Sequence, residues 1–523
     1  MSKRRTVLLA LVLVACLVLP LDAAASVQDQ LELFAGKHGV FYQIFVRSFA
    51  DGDGDGVGDL RGIIQRLDYL NDGDPETTTD LGVTGIWLTP IHPSPTYHKY
   101  DVVDYYAIDP EFGTLEDFQE LLQEAHNRGI KVIMDLVCNH TSSQHPWFLS
   151  ARKGPEGEYR DFYIWAGPDT QTTRRGPWNQ VVWHPAGPDY YYGLFWSEMP
   201  SLNWANPEVR AEFKAVAEFW LAQGVDGFRL DAAKHLFEHD PSQKPVDWWL
   251  EFSEHVRALK PDIYLVGEVW DSPHVVEPYY AAFDSCFNFT LAEKLIPIVR
   301  FGLDTGLVEA LLAQYERFSS STQGWAIDAP FLSNHDQDRV MSQLFGDWNQ
   351  AKMAAAIYLT LPGNPFIYAG EEIGMQGRGD DENRREPFKW YDQSGPGQTW
   401  WRPNTFNTGS WQPSIESQDA DPDSLLNHYR RLIHLRLDDP ALRLGRLVAV
   451  DHGENPRIVA YGREWLEERT LVLHNISRQE QQAVLEGEWA FEDVLFSAGD
   501  CRMESSSGSC VVTLGPYTTV ILK

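Results

Sequence analysis

Basic charge is what this chain most lacks. Lysine and arginine total 43 against 75 aspartates and glutamates, for a net charge of −32. Such a surface repels nucleic-acid phosphates and anionic membranes, so neither is expected as a partner. No repeats, long charge runs or flexible linkers break the chain. The one long apolar run, Val7 to Leu19, is short for a membrane span. It follows Lys3, Arg4 and Arg5 and precedes Ala23-Ala24-Ala25, the layout of a cleaved secretory leader. The expectation is therefore a leader over 1–25, cut near Ala25, and a secreted protein. A rival reading, a lipoprotein box ending at Cys16, is opposed by the apolar residues that continue past it.

Cysteine is also scarce, with five in 523 residues. Cys138 and Cys286 lie in apolar runs and read as buried thiols. Cys501 and Cys510 bracket "RMESSSGS", and export makes a disulfide between them the expectation. His92, His98 and His145 show no spacing that demands a metal.

Aromatics, by contrast, are plentiful: 13% of residues, including 19 Trp, which with 43% hydrophobic residues excludes a disordered chain. Eight short β-rich runs, at 39–49, 82–90, 131–137, 224–232, 263–270, 286–291, 326–336 and 363–372, alternate with helix-like segments. One of these, "PEVRAEFKAVAEFWLAQG", opens with proline and closes with glycine, as helix ends do. The alternation predicts an α/β chain folded as a (β/α)8 TIM barrel. A barrel of about 250 residues gives roughly 31 per unit. Asp231 and Glu268 are 37 apart, about one unit, but Asp135 and Asp231 are 96 apart. An irregular subdomain is thus inserted after strand 3. The predicted division is a barrel over 35–139 and 206–438, the insert over 140–205, and a C-terminal antiparallel β-sandwich over 440–523, where apolar and polar residues alternate. Within the insert, Trp183, Trp196 and Trp204 are either sugar platforms or core.

Barrel chemistry sits at the C-terminal strand ends. Four apolar runs end abruptly in polar residues: "DLVCNH" (135–140), "GFRLDAAKH" (227–235), "GEVW" (267–270) and "SNHDQDR" (333–339). Arg229 and Asp231 are two apart and share one side of a strand, so the guanidinium favours an ionised carboxylate suited to a nucleophile. Glu268 closes an apolar run, where a carboxyl with a raised pKa can act as an acid. Asp336 is a third carboxylate, beside His335. Asp135 reads either as a strand-end support for Arg229 or as a substrate contact.

These endings, in this order and spacing, resemble the α-amylase superfamily of glycoside hydrolases from about Gly39 to the C-terminus. The resemblance implies retaining hydrolysis of α-1,4-glucans such as starch. Asp231 would be the nucleophile, Glu268 the acid/base, and Asp336 the stabiliser of the distorted sugar. His140 and His335 would hold sugar hydroxyls, Arg229 would orient Asp231, and Tyr100 of "YHKYDVVDYY" would stack beneath the ring. Lys234 and His235 match positions lining the leaving-group side. Retention requires Asp231 and Glu268 carboxyls about 5–5.5 Å apart. "SEMPSLNW" and "GEEIGMQGRGDDENRREPFKW" look like the group between oligo-1,6-glucosidases and neopullulanases. Alternatives are an α-glucosidase, a cyclomaltodextrinase, a transglycosylase or trehalose synthase, and a non-catalytic glycan binder, the last opposed by the complete set of carboxylates. A monomer is expected. Two departures stand out: Ser201 replaces an aspartate that helps bind calcium in many amylases, and Lys99 replaces a glycine beside the stacking tyrosine, where it could charge the rim.

One motif remains. "ADGDGDGVGDLRG" (50–62) places Asp51, Asp53, Asp55, Val57 and Asp59 as an EF-hand loop begins, but position 12 is Gly62 and a strand precedes it. A half-cage for a structural Ca2+ is the reading, through hard carboxylate and carbonyl oxygens on a glycine-rich turn. Many bacterial members of the resembling family carry such a site here.

Overall fold

The computed structural model describes residues 31–523 except 241, 243, 323–325, 409–413, 487–492 and 507. The expected leader, with Cys16 and Ala25, lies outside the described residues. No helix among those described is long and apolar enough to cross a membrane.

Eight parallel strands form one sheet: β1 (Phe41–Ile44), β2 (Gly85–Leu88), β3 (Lys131–Leu136), β6 (Gly227–Leu230), β7 (Tyr264–Gly267), β8 (Ser285–Phe287), β9 (Ile327–Ala329) and β10 (Phe366–Tyr368). Its order is β10-β1-β2-β3-β6-β7-β8-β9, and a parallel bridge between Phe331 and Phe366 joins the two edges, so the sheet is a barrel. Each strand matches one of the eight apolar runs. They read as continuous apolar runs because both faces are covered, helices outside and side chains inside. The inside is aromatic: Phe41 stacks on Tyr264 at 4.9 Å and on Phe366 at 4.8 Å. Glycine makes room for these rings, since a Cβ on Gly85 would lie 2.4 Å from Phe41.

The helices follow their local signals. Leu115–Asn127 starts at a capping box between Thr114 and Asp117. Pro207–Gln223 is capped by Asn206 and ends at Gly224, whose φ of 107° suits glycine. It buries Val209, Phe213, Val216 and Trp220 along one face.

Between β3 and β6 lies the irregular insert, which contains one hairpin, β4 (Trp183–Ala186) with β5 (Asp189–Tyr192). Ile164, Val182, Trp183, Tyr192 and Leu194 form its own small core. Trp183 therefore packs internally. Trp204 is fully buried, with Nε1 donating to the Cys138 carbonyl, and Trp196 is exposed.

The C-terminal region is antiparallel, with β11 (Arg446–Ala449), β12 (Ile458–Trp465), β13 (Glu468–Asn475), β18 (Thr519–Leu522) and β15 (Val494–Ala498) in one sheet. The second sheet orders β14 (Gln481–Glu486), β17 (Ser509–Leu514) and β16 (Cys501–Ser506). The expected Cys501–Cys510 disulfide is not made, and both thiols are free. Strand register is the reason. Cys501 pairs with Leu514 while Cys510 pairs with Ser505. Four residues of offset at about 3.4 Å each put their Cα atoms well beyond the ~7 Å limit of a disulfide. Cys138 and Cys286 are free and buried, as read from the sequence.

Candidate active site

The four polar strand endings converge at one end of the barrel. A cleft of about 960 Å³ opens there, lined by Tyr100, His140, Asp231, Lys234, His235, Glu268 and Asp336 among others. Asp231 and Glu268 each follow directly on a strand, β6 and β7. Asp336 follows β9 after a short turn.

Arg229 is the hub. It is buried on β6, with Nη1 2.5 Å from Asp231 Oδ1 and 2.7 Å from Asp135 Oδ1, and Nη2 2.8 Å from Glu268 Oε2. One guanidinium thus joins Asp231 and Glu268 side by side. Its charge also lies 5.1 Å from the Trp87 ring centre. Glu268 Oε2 accepts a second hydrogen bond from the Ala232 amide at 2.9 Å. Ala232 holds a left-handed φ of 46° to present that amide, a strained conformation for a residue with a Cβ.

Asp135 sits below the cleft floor. Its Oδ2 accepts from Trp87 Nε1 at 3.1 Å and from the Tyr100 hydroxyl at 2.9 Å. Asp135 is therefore a support for Arg229 and Tyr100. The Tyr100 ring stacks parallel to His335 at 5.3 Å, and its hydroxyl lies 2.7 Å from His335 Nε2. Gln43 holds the other His335 nitrogen at 2.7 Å. Burial pushes the imidazoles of His335 and His140 down to about 3, so both are neutral donors and acceptors.

The carboxyls divide electrostatically. Burial raises Asp231 to about 7 against the pull of Arg229, and the like charges of Asp135 and Asp336 add to the rise. Burial also raises Asp135, to about 6, and raises Glu268, in both cases against the pull of Arg229. Three carboxyls on one guanidinium titrate as a unit, and the unit keeps a proton until near neutrality. Asp336 differs: burial opposes its ionisation, but His335, Arg385 and Arg229 outweigh that and bring it to about 2.

Arg385 is a site residue that sequence reading missed. It lies in the loop after β10, buried, with Nη2 2.8 Å from Asp336 Oδ1 and Nε donating to the His335 carbonyl at 3.0 Å. Nη1 donates to the Tyr97 hydroxyl at 2.8 Å. The quoted run "GRGDDENRREPFKW" contained it, but nothing local separates it from Arg378 and Arg384. Two exposed aromatics were missed as well. Trp178, 56% exposed, stacks on Phe195 at 5.6 Å and meets His235 edge-on at 5.3 Å. Trp270, 41% exposed, lies flat on Phe289 at 4.5 Å and donates to Glu293 at 3.0 Å. Both line the cleft together with Lys234, whose Nζ is bound to Asp271 at 2.9 Å.

Lys99 does not charge the rim. Its side chain is buried between Asp109 at 2.7 Å and Glu111 at 2.6 Å, and its φ of 65° is the conformation glycine favours. At the other departure, Ser201 Oγ accepts from the Leu194 amide, and Asn139 Nδ2 donates to the His235 carbonyl at 2.8 Å. No carboxylate replaces the missing aspartate in any potential ion-sharing group among the described residues.

The one such group found among them is Asp51, Asp53 and Asp59, whose ligand atoms lie within 4.8 Å of one another. Asp51 accepts from the amides of Gly54 and Gly56, and Asp59 from those of Gly52 and Gly62. Burial, with Asp53 and Asp51 beside it, raises the Asp59 pKa. Asp55 instead turns to the Val57 amide at 2.7 Å. This loop follows β1, away from the Arg229 hub.

Residues 43–445 match the family described as alpha amylase, catalytic domain, and residues 458–521 match the alpha-amylase SusG C-terminal domain. The sequence is 44% identical over 488 residues to Alpha-amylase 3 of Dictyoglomus thermophilum, covering 93% of each chain. It is 34% identical over 461 residues to a 4-alpha-glucanotransferase of Thermotoga neapolitana, covering 87% of this chain and 97% of that one. The crystal structure of alpha-amylase from H. orenii aligns with a TM-score of 0.87 at 49% identity, covering 93% of this chain and 99% of that chain. A catalytic-domain match over most of the chain, on a barrel whose strand ends gather these carboxylates, makes this protein a member of the α-amylase family.

Proposed function

We propose that this protein is a retaining glycoside hydrolase that cleaves α-1,4-glucosidic bonds in starch and maltodextrins. The observation that carries this is the joint hold of Arg229 on Asp231 and Glu268, which sets two carboxyls side by side at one opening. Asp231 attacks the anomeric carbon, forming a β-glycosyl ester as the glycosidic bond breaks. Glu268 gives its proton to the leaving oxygen, then takes one from water as that water cleaves the ester. The proton kept by the buried carboxyl unit is the one Glu268 delivers, and Arg229 opposes burial to favour the carboxylate form of Asp231. Asp336, held ionised, faces the positive charge that develops on the sugar ring. Tyr100 supplies the ring platform, and His140 and His335 supply neutral hydrogen bonds. Lys234 and His235 line the side on which the leaving sugars lie.

The acidic turn fits calcium. Three carboxylates converge there, two of them buried, with no lysine or arginine paired to them among the described residues. Bound Ca2+ would supply the missing positive charge and fasten the turn to the barrel, and no catalytic group belongs to it. The leader-like N-terminus accords with secretion, which suits digestion of a polymer too large to enter a cell.

A transfer reaction is the second reading, because the glucanotransferase relative spans nearly the whole chain. Incubation with starch and with maltose separates the two. Oligosaccharides with new reducing ends from starch support hydrolysis, whereas redistributed chain lengths without new ends, or trehalose from maltose, would overturn it. Asp231→Asn should keep the fold and lose at least about a thousandfold in turnover.

A further inference from the structure

A second groove, of about 870 Å³, runs beside the catalytic cleft and is lined by Trp400, Tyr391, Gln393, Ser394, Arg402 and Asn404. Its main feature is an indole presented to solvent. Trp400 is 63% exposed, although a ring of that size normally buries most of its surface. It is held in place from behind. Its amide donates to the Gly56 carbonyl at 2.8 Å, and a Cβ on Gly56 would lie 2.5 Å from the ring. Gly56, with a φ of 97°, thus gives the indole a flat seat on the acidic turn. Around the ring the walls offer amide, hydroxyl and guanidinium groups. A fixed aromatic face rimmed by hydrogen-bonding groups, the charged Asp51, Lys389, Asp392 and Arg402 among them, suits a ligand with an apolar face and polar edges. A pyranose has that form.

The groove also connects to the cleft. Arg402 Nη2 donates to Asn383 Oδ1 at 3.1 Å, and its guanidinium lies 5.8 Å from the Trp401 ring centre. Trp401 stacks on Tyr97 at 5.5 Å and 18°, and the Tyr97 hydroxyl accepts from Arg385, the residue bound to Asp336. We propose that the Trp400 groove is a second α-glucan-binding site that retains a polymer chain beside the cleft. This rests on the α-glucan reading of the cleft. It predicts that capture of polymer and cleavage of short chains are separable.

The test is Trp400→Ala, with Trp400→Phe as a second variant. Two quantities are read: adsorption to granular starch in the cold, and kcat/KM on a short chromogenic maltooligosaccharide. Trp400→Ala should adsorb about tenfold more weakly, the loss of one aromatic stacking contact, with kcat/KM and Tm close to wild type. Trp400→Phe should keep most of the adsorption. Unchanged adsorption in Trp400→Ala would overturn the proposal, and so would parallel loss of adsorption and short-chain turnover, which would make the groove part of the cleft. Wild-type protein that leaves both starch and the short substrate uncut would instead refute the α-glucan reading itself.

Discussion

Burial around Arg229 and the charge of Arg385 leave carboxyls of one cleft in opposite protonation states. Arg229 faces three carboxyls with one charge, so a proton stays among Asp135, Asp231 and Glu268. Arg385 faces Asp336 directly, at the edge of that unit. The sign of a substitution follows. Asp336 is depressed, so removing Arg385 lets its pKa rise, and activity that needs the carboxylate is then lost at a higher pH on the acid side. The groups facing Asp336 are His335, Arg385 and Arg229 on one hand and Asp231 and Glu268 on the other. Arg385→Gln should therefore move the acid limb of kcat/KM upward, and Arg385→Lys should restore part of the shift. A fall in kcat at unchanged limbs would reduce Arg385 to a structural role. At this scale the sequence was readable where a polar residue ended an apolar run, as at Asp231, Glu268 and His335. Arg385, Trp178 and Trp270 had no such marker. They reach the cleft from loops, and only the folded paths of those loops distinguish them from ordinary surface residues. Lys99 shows the same limit in reverse, because its charge is used up by Asp109 and Glu111, which the motif does not reveal.

Single elements carry three further predictions. The acidic turn after β1 is bound to its own amides, but it holds three carboxylates together and raises Asp59. A raised folded pKa means that stability is present at low pH and lost as pH rises through it. A cation reverses that loss. Removing calcium with EDTA should therefore lower Tm, and the drop should shrink as pH falls, because protonation of Asp59, favoured by its raised pKa, weakens its hold on the cation. An unchanged Tm would eliminate the cage. Asp59→Asn should lower Tm and abolish the response to calcium. In the β16–β17 hairpin the thiols are free, so reduction with dithiothreitol should leave Tm unchanged, and a drop would mean that the chain had adopted a different register. Period-2 alternation identified these strands, but alternation is unaltered by a register shift of two or four residues. That is why eight intervening residues suggested a bridge that the pairing of Cys510 with Ser505 excludes.

At the level of the whole molecule, the barrel was legible because parallel strands covered on both faces must be apolar throughout, and the excess spacing between Asp135 and Asp231 exposed the insert. The path of that insert was not legible, since its hairpin and small core follow no simple period. The assembled protein places a protonatable carboxyl unit at Arg229 beside an ionised Asp336, the arrangement proposed to hydrolyse α-1,4-glucans with retention. Proton NMR of a maltooligosaccharide digest, recorded before mutarotation, tests it most directly. New reducing ends should accumulate and appear first as the α-anomer. First appearance of the β-anomer, or bond exchange without new reducing ends, would contradict it.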